Sequence, residues 1–315
     1  MKKSLKFGVL YLLALALAAS CSESSVPTVR SNAGTAASKS GGDLLYVGIT
    51  HGVLILTYPE YKHVANLPTE EEWPTVCSDA KSGKVFVPDT YQIPEYAHGG
   101  TAPIGMLKAP AGYASLLGCS INPKNGDLAV VSYQYPRNGG VLLVYAQGRA
   151  FPAIYRDSAM LEPYYSAYDP NGNLFVMGYG LKGQRSVVPI FDELPAGSAS
   201  LMHVRLDAYV SYPKKVQWDG KYVTLTNGKI VSRVRISGSH GYIVNTTILN
   251  GDNEFAAGIT WIEGATILAP HGGDFTRHIG AWSYPAGGNA NKVFPNIIKG
   301  DKNVLSDIAI SHAPH

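Results

Sequence analysis

The chain has little charge, little cysteine and no apolar run long enough to cross a membrane. Asp, Glu, Lys and Arg make up 16% of its 315 residues, and the formal net charge is +3. Residues 1–20 hold three lysines and no acid, so the rest balances 23 basic against 23 acidic groups. The longest basic run there is Lys214-Lys215. Nucleic-acid binders concentrate basic charge to displace counterions from phosphates, so nucleic acid is not an expected partner. Hydrolase signatures are missing as well. There is no Gly-x-Ser-x-Gly elbow with a plausible triad and no His-Glu-x-x-His.

The longest apolar stretch, Phe7 to Ala19, is 13 residues, short of the roughly 20 a membrane-spanning helix needs. Lys2, Lys3 and Lys6 precede it and Ser20-Cys21 follows, the order of a secretory signal peptide. Leu-Ala-Ala-Ser-Cys resembles the lipobox of bacterial lipoproteins, which implies that Cys21 becomes the lipidated N-terminus. The expectation is a protein outside the cytoplasm, lipid-anchored to a bacterial membrane, the outer one if the host has two. Ordinary cleavage with secretion is the alternative. Residues 21–42, rich in Ser, Ala and Thr, read as a flexible tether.

What the sequence does have is a repeat. Cys119-Ser-Ile-Asn-Pro-Lys-Asn-Gly-Asp runs through a tight turn into the apolar Leu128 to Val131, and strands follow at Val141 to Tyr145 and near Pro152 to Tyr155. Two β-rich runs around such a turn make a hairpin, and four consecutive antiparallel strands make a propeller blade. Equivalent turn glycines are Gly83, Gly126, Gly172, Gly220 and Gly264, spaced by 43, 46, 48 and 44 residues. A period of about 40–50 residues is that of propeller blades. Third strands recur six times, from Val53-Leu-Ile-Leu to Ile279-Gly-Ala-Trp. The first unit lacks an inner strand, and Leu305-Ser-Asp-Ile-Ala-Ile-Ser supplies one. An open sheet edge invites pairing with other molecules. We therefore expect an all-β, six-bladed propeller over residues 43–315, closed by the C-terminal strand, in one monomeric domain.

Candidate site residues fall into three groups. Cys77 and Cys119 occupy the same place in neighbouring repeats, and a disulfide between them and two buried thiols both remain open. Aromatics recur where the chain leads into inner strands: Trp73, Tyr113, Tyr164, Tyr165, Tyr212 and Phe255. They suit either stacking on a carbohydrate or other flat ligand, or sealing gaps between blades. Loops between second and third strands carry His51, Asp89, Asn227, His271 and Asp274. Imidazole and carboxylate groups converging there would hold a divalent metal, although Asn and Asp also serve turns. His98 and His240 follow third strands, which puts them in solvated turns on the opposite face.

At the repeat level, Asp169-Pro-Asn-Gly-Asn-Leu-Phe-Val resembles NHL-repeat and gluconolactonase-like six-bladed propellers. With Tyr96-Ala-His-Gly-Gly-Thr-Ala-Pro-Ile and Val216-Gln-Trp-Asp-Gly-Lys-Tyr, residues 43–315 are similar to a family of secreted bacterial propeller lipoproteins. Gluconolactonase-like relatives imply a divalent metal on the axis, held by Glu, Asn and Asp from several blades. No such set matches residue by residue here. The expected function is a binding or interaction module without catalysis or cofactor, presenting its channel face to a carbohydrate, peptide or protein. A metal-dependent lactonase or related hydrolase is the alternative.

Overall fold

The computed structural model describes residues 41–133, 139–182, 186–210, 215–251, 259–272, 278–295, 297 and 304–314. The leader, Cys21 and most of the tether lie outside them. In four of the repeats the turn after the inner strand is set by one short polar side chain. The side-chain oxygens of Asp79, Asn122, Asp169 and Asp219 each accept the backbone N–H two residues on, at 2.9–3.0 Å. This is the local bond that favours Asx residues in turns. The five turn glycines all have positive φ, from 54° to 94°, a region that residues with a Cβ rarely adopt.

Around these turns the strands form six sheets. Blade 1 contains Leu305–Ser311, Leu44–Ile49, Gly52–Thr57 and His63–Pro68. Blade 2 contains Cys77–Ser78, Val85–Phe86, Gln92–Tyr96 and Pro103–Lys108, and blade 3 Leu116–Ile121, Leu128–Ser132, Val141–Tyr145 and Ala153–Tyr155. Blade 4 contains Glu162–Tyr168, Leu174–Lys182, Ser186–Leu194 and Met202–His203. Blade 5 is built on Lys215–Trp218, Val223–Asn227, Ile230–Ser237 and His240–Ile248, and blade 6 on Trp261–Glu263, Thr266–Pro270, Ile279–Ser283 and Lys292–Phe294. The protein is a six-bladed, all-β propeller.

Blade 5 departs from the repeat by carrying a fifth strand. Arg205–Leu206 pairs in parallel with His240–Ile248, so the chain leaving blade 4 caps the outer edge of blade 5 before becoming its inner strand. Asp207 Oδ1 extends the cap by accepting the Ile243 N–H at 3.0 Å. An outer strand of nine residues would otherwise leave a long open edge.

Closure follows the expected route. The C-terminal strand pairs antiparallel with Leu44–Ile49, with Leu45 opposite Ile310 and Val47 opposite Ile308. The tail is then latched on both sides. Asp43 accepts the Ala313 N–H at 3.0 Å and faces His312 at 3.1 Å, while Ser311 Oγ donates to Gly83 O at 2.7 Å in blade 2. His98 is also part of the latch. Its Nδ1 meets Ser311 Oγ at 2.8 Å and its Nε2 meets Gly42 O at 3.0 Å, so it is tied down, unlike the solvated turn residue expected.

Apolar clusters between adjacent sheets supply the core, as in Leu45, Val47, Leu268, Ile279 and Ile308 between blades 1 and 6. Burying each such side chain stabilises the fold by about 1.5–3 kcal/mol. Cys77 and Cys119 are joined by a disulfide, with Cα atoms 5.7 Å apart, which staples the inner strands of blades 2 and 3. Blades 5 and 6 are joined by polar groups. The Gln217 side-chain amide makes two bonds to the Ile262 backbone, each 2.8 Å. Asp219 accepts from Arg233 Nε at 2.6 Å and from the Tyr284 hydroxyl at 2.5 Å.

Burial raises the Asp219 pKa, but donation from Tyr284, the Tyr222 N–H, Arg233 and the Lys221 N–H outweighs it, so the carboxyl sits below its ordinary 3.8. A carboxyl depressed on folding stabilises above its unfolded value, and that contribution is lost as pH falls through the folded one. Asp219→Asn should therefore lower stability at neutral pH and flatten the loss of stability below about pH 4. Parallel acid-denaturation profiles for variant and wild type would contradict this.

Candidate functional site

The inner strands bring polar groups from four blades to the axis. Asp307, third residue of the C-terminal strand, points away from the apolar layer that holds Ile308 and Ile310 because side chains alternate along a strand. Its Oδ2 accepts the Val76 N–H of blade 2 at 3.0 Å. Its Oδ1 accepts the Lys215 ammonium of blade 5 at 2.5 Å and the Ile308 N–H at 2.9 Å. Lys215 also stands 4.6 Å above the centre of the Tyr165 ring of blade 4, a cation–π contact. The Tyr165 hydroxyl donates to Ser306 O at 3.4 Å, and Ser306 Oγ donates to Pro74 O at 2.7 Å. The Lys215 and Asp307 side chains are only 8% and 1% exposed. The axis is therefore filled here by a paired ammonium and carboxylate.

Burial pushes the Asp307 carboxyl up, against the pull of Lys215 and of the Val76 and Ile308 N–H groups. Burial likewise drives the Tyr165 hydroxyl well above its usual range. Gly118 of blade 3 lets this centre close. A Cβ there would lie 2.5 Å from Tyr164 O and from the Tyr165 ring.

The aromatic candidates divide. Tyr165 belongs to the axial cluster, whereas Tyr164 sits at a bulge in the same strand and packs edge-on against Tyr179 at 5.2 Å. Tyr113 carries the Arg156 guanidinium 5.4 Å from its ring centre. Trp73 is 60% exposed in the loop leading into blade 2. Tyr212 and Phe255 lie outside the described residues. Among the further exposed rings that sequence reasoning missed are Tyr91 at 64% and Tyr209 at 74%. Tyr91 lies in a second-to-third-strand loop and Tyr209 in the loop leading into blade 5. By topology both share the face of Trp73.

The polar candidates are held in their turns. His51 has φ of 57°, and its N–H donates to Glu72 O at 3.3 Å. Asp89 is buried and accepts the Thr90 N–H at 2.8 Å. Asn227 ends a strand of blade 5. The His271 N–H donates to His278 O at 3.0 Å, and its ring lies 5.9 Å from that of Trp282. Asp274 lies outside the described residues. Among the described residues, one group of three imidazole or carboxylate donors comes within mutual reach, and it contains none of these. It is Asp157, Asp192 and His203, at the blade 3–blade 4 boundary. Burial first, and then the Asp157 carboxylate, push Asp192 up to about 8. The sequence signal was weak: a polar Asp192 directly after the run Val188 to Phe191.

No known family and no curated protein matches the sequence at a significant level. Solved structures do match. A protein of unknown function from Bacteroides caccae shares 14% identity with a TM-score of 0.61, over 86% of this chain and 99% of that one. A functionally unknown protein from Desulfotomaculum acetoxidans shares 11% identity with a TM-score of 0.53, over 85% and 99%. At these identities the likeness shows the fold alone.

Removing one partner of a buried ion pair leaves the other charged and desolvated, at about 3–5 kcal/mol, whereas replacing both with apolar residues is often neutral. Asp307→Ala should cost that amount in chemical denaturation, and the Asp307→Leu/Lys215→Met double variant should recover most of it. Equal losses in single and double variants would show that the pair does not couple.

Proposed function

We propose that this chain is an extracytoplasmic, lipid-anchored propeller that binds a ligand or partner on its axial face without catalysing a reaction. The observation that carries this reading is the Lys215–Asp307 pair on the axis. A metal-dependent lactonase of the gluconolactonase-like type needs an axial cation held by converging carboxylates and amides. Here an ammonium already neutralises the axial carboxylate, and a metal ion would have to displace it. Exposed Trp73 and Tyr91 of blade 2 and Tyr209 ahead of blade 5 lie in loops that topology puts on one face. Rings in that arrangement suit stacking on a carbohydrate or an aromatic-bearing peptide or protein surface. The anchor rests on the lipobox-like stretch ending at Cys21.

A thermal-shift screen of oligosaccharides and peptides tests the binding face, because a ligand that prefers the native state raises the melting temperature by mass action. A stabilising ligand is expected whose effect is lost in Trp73→Ala while the unliganded melting temperature holds. Metal-dependent lactone hydrolysis abolished by Asp307→Asn would overturn the reading. For the anchor, Cys21→Ser should move the protein from the membrane to the soluble fraction. Unchanged fractionation would contradict it.

A further inference from the structure

Apart from the axis, the boundary between blades 3 and 4 holds a second polar centre. Asp192 lies on the third strand of blade 4 and His203 directly opposite it on the fourth, a pairing that brings their Cβ atoms to about 4.5–5.5 Å. His203 Nδ1 approaches Asp192 Oδ1 at 3.1 Å. Asp157 comes from the loop joining the two blades, where its Oδ1 also accepts the Ala159 N–H at 2.9 Å and fixes the turn. One donor atom from each of the three lies within 4.8 Å of the others.

Two features set this centre apart from an ordinary acidic surface. The Asp192 side chain is 1% exposed, and its Oδ2 is buried with no hydrogen-bond partner. A desolvated carboxylate oxygen without a donor is destabilising. The Asp157 carboxylate beside it worsens the cost. Among the described residues, neither Asp157 nor Asp192 has a lysine or arginine partner. The arrangement has two carboxylates with no lysine or arginine among the described residues to answer them, the reverse of the axis, where Lys215 answers Asp307.

We propose that Asp157, Asp192 and His203 form a binding site for a first-row divalent cation of the Zn²⁺ type. One imidazole nitrogen with two carboxylates suits zinc and its neighbours, whereas calcium and magnesium favour all-oxygen sets. Three protein ligands leave a fourth position for water or an outside donor. His203 supplies the access. Its side chain is 56% exposed and lines a cleft of about 270 Å³ with Pro189, Arg205 and Tyr209. A bound ion would tie the blade 3–blade 4 loop to the outer strand of blade 4. This site lies off the axis, although its cleft shares Tyr209 with the ring-bearing face; metal uptake and ligand-induced stabilisation are read separately, so either reading can fail alone.

The test is calorimetric titration of Zn²⁺ into tag-free, chelator-stripped full chain, with Co²⁺ absorption as a second readout of nitrogen and oxygen ligation. One equivalent per chain is expected, with a raised melting temperature. His203→Ala and Asp157→Asn alter side chains that are at least partly exposed and should leave the fold intact. Each should weaken binding by about tenfold or more. Asp192→Asn should abolish it. No uptake by the wild-type chain would overturn the proposal and leave two carboxyls sharing a proton. Uptake that survives undiminished in the His203→Ala and Asp157→Asn variants would overturn it too, by placing the metal away from His203, the other histidines of the nine included.

Discussion

Everything central in this molecule depends on one pairing: the strand Leu305–Ser311 against Leu44–Ile49. A ring of sheets in which each blade packs on the next has no stable partial form, because a missing inner strand exposes two blade faces and an unpaired edge. Ring closure therefore uses residues about 260 positions apart in sequence, such as Leu45 and Ile310. The latch of Asp43, His98, Ser311 and His312 reinforces that join at the rim.

The same pairing sets the chemistry of the axis. Only when the C-terminal strand is in register does Asp307 reach Val76 of blade 2 and Lys215 of blade 5. Blades 1, 2, 4 and 5 thus meet in one charge-neutral centre. A buried pair of this kind adds little net stability over an apolar filling, but it penalises arrangements that separate the charges. For a fold made of repeats of one kind, that penalty selects one register. It is also the observation on which the proposed binding role rests, because a lysine stands where a metal would have to sit.

Much of the architecture was legible because propellers are written in local signals. Gly83, Gly126, Gly172, Gly220 and Gly264 mark turns whose positive φ is intrinsic to the residue, and Asp79, Asn122, Asp169 and Asp219 carry their own turn bonds. The site was far less legible. Lys215 and Asp307 are 92 residues apart, and no spacing rule links them. Tyr91 and Tyr209 lie in loops, where no periodicity separates an exposed ring from a packed one. The strand Arg205–Leu206 is two residues long, too short for alternation to register, and it exists because a neighbouring edge needed covering. Asp192 would have been readable only as a polar interruption of a buried strand.

Native-state hydrogen exchange of the Ala309 and Ser311 amides, opposite Tyr46 and Leu44, is the most direct measure of closure. If the terminal strand completes the ring, these amides exchange only through global unfolding, at the same free energy as amides of Leu128–Ser132 in blade 3. Exchange at the rate of a frayed terminus, while blade 3 stays protected, would show that the ring stands without its final strand and would contradict the account.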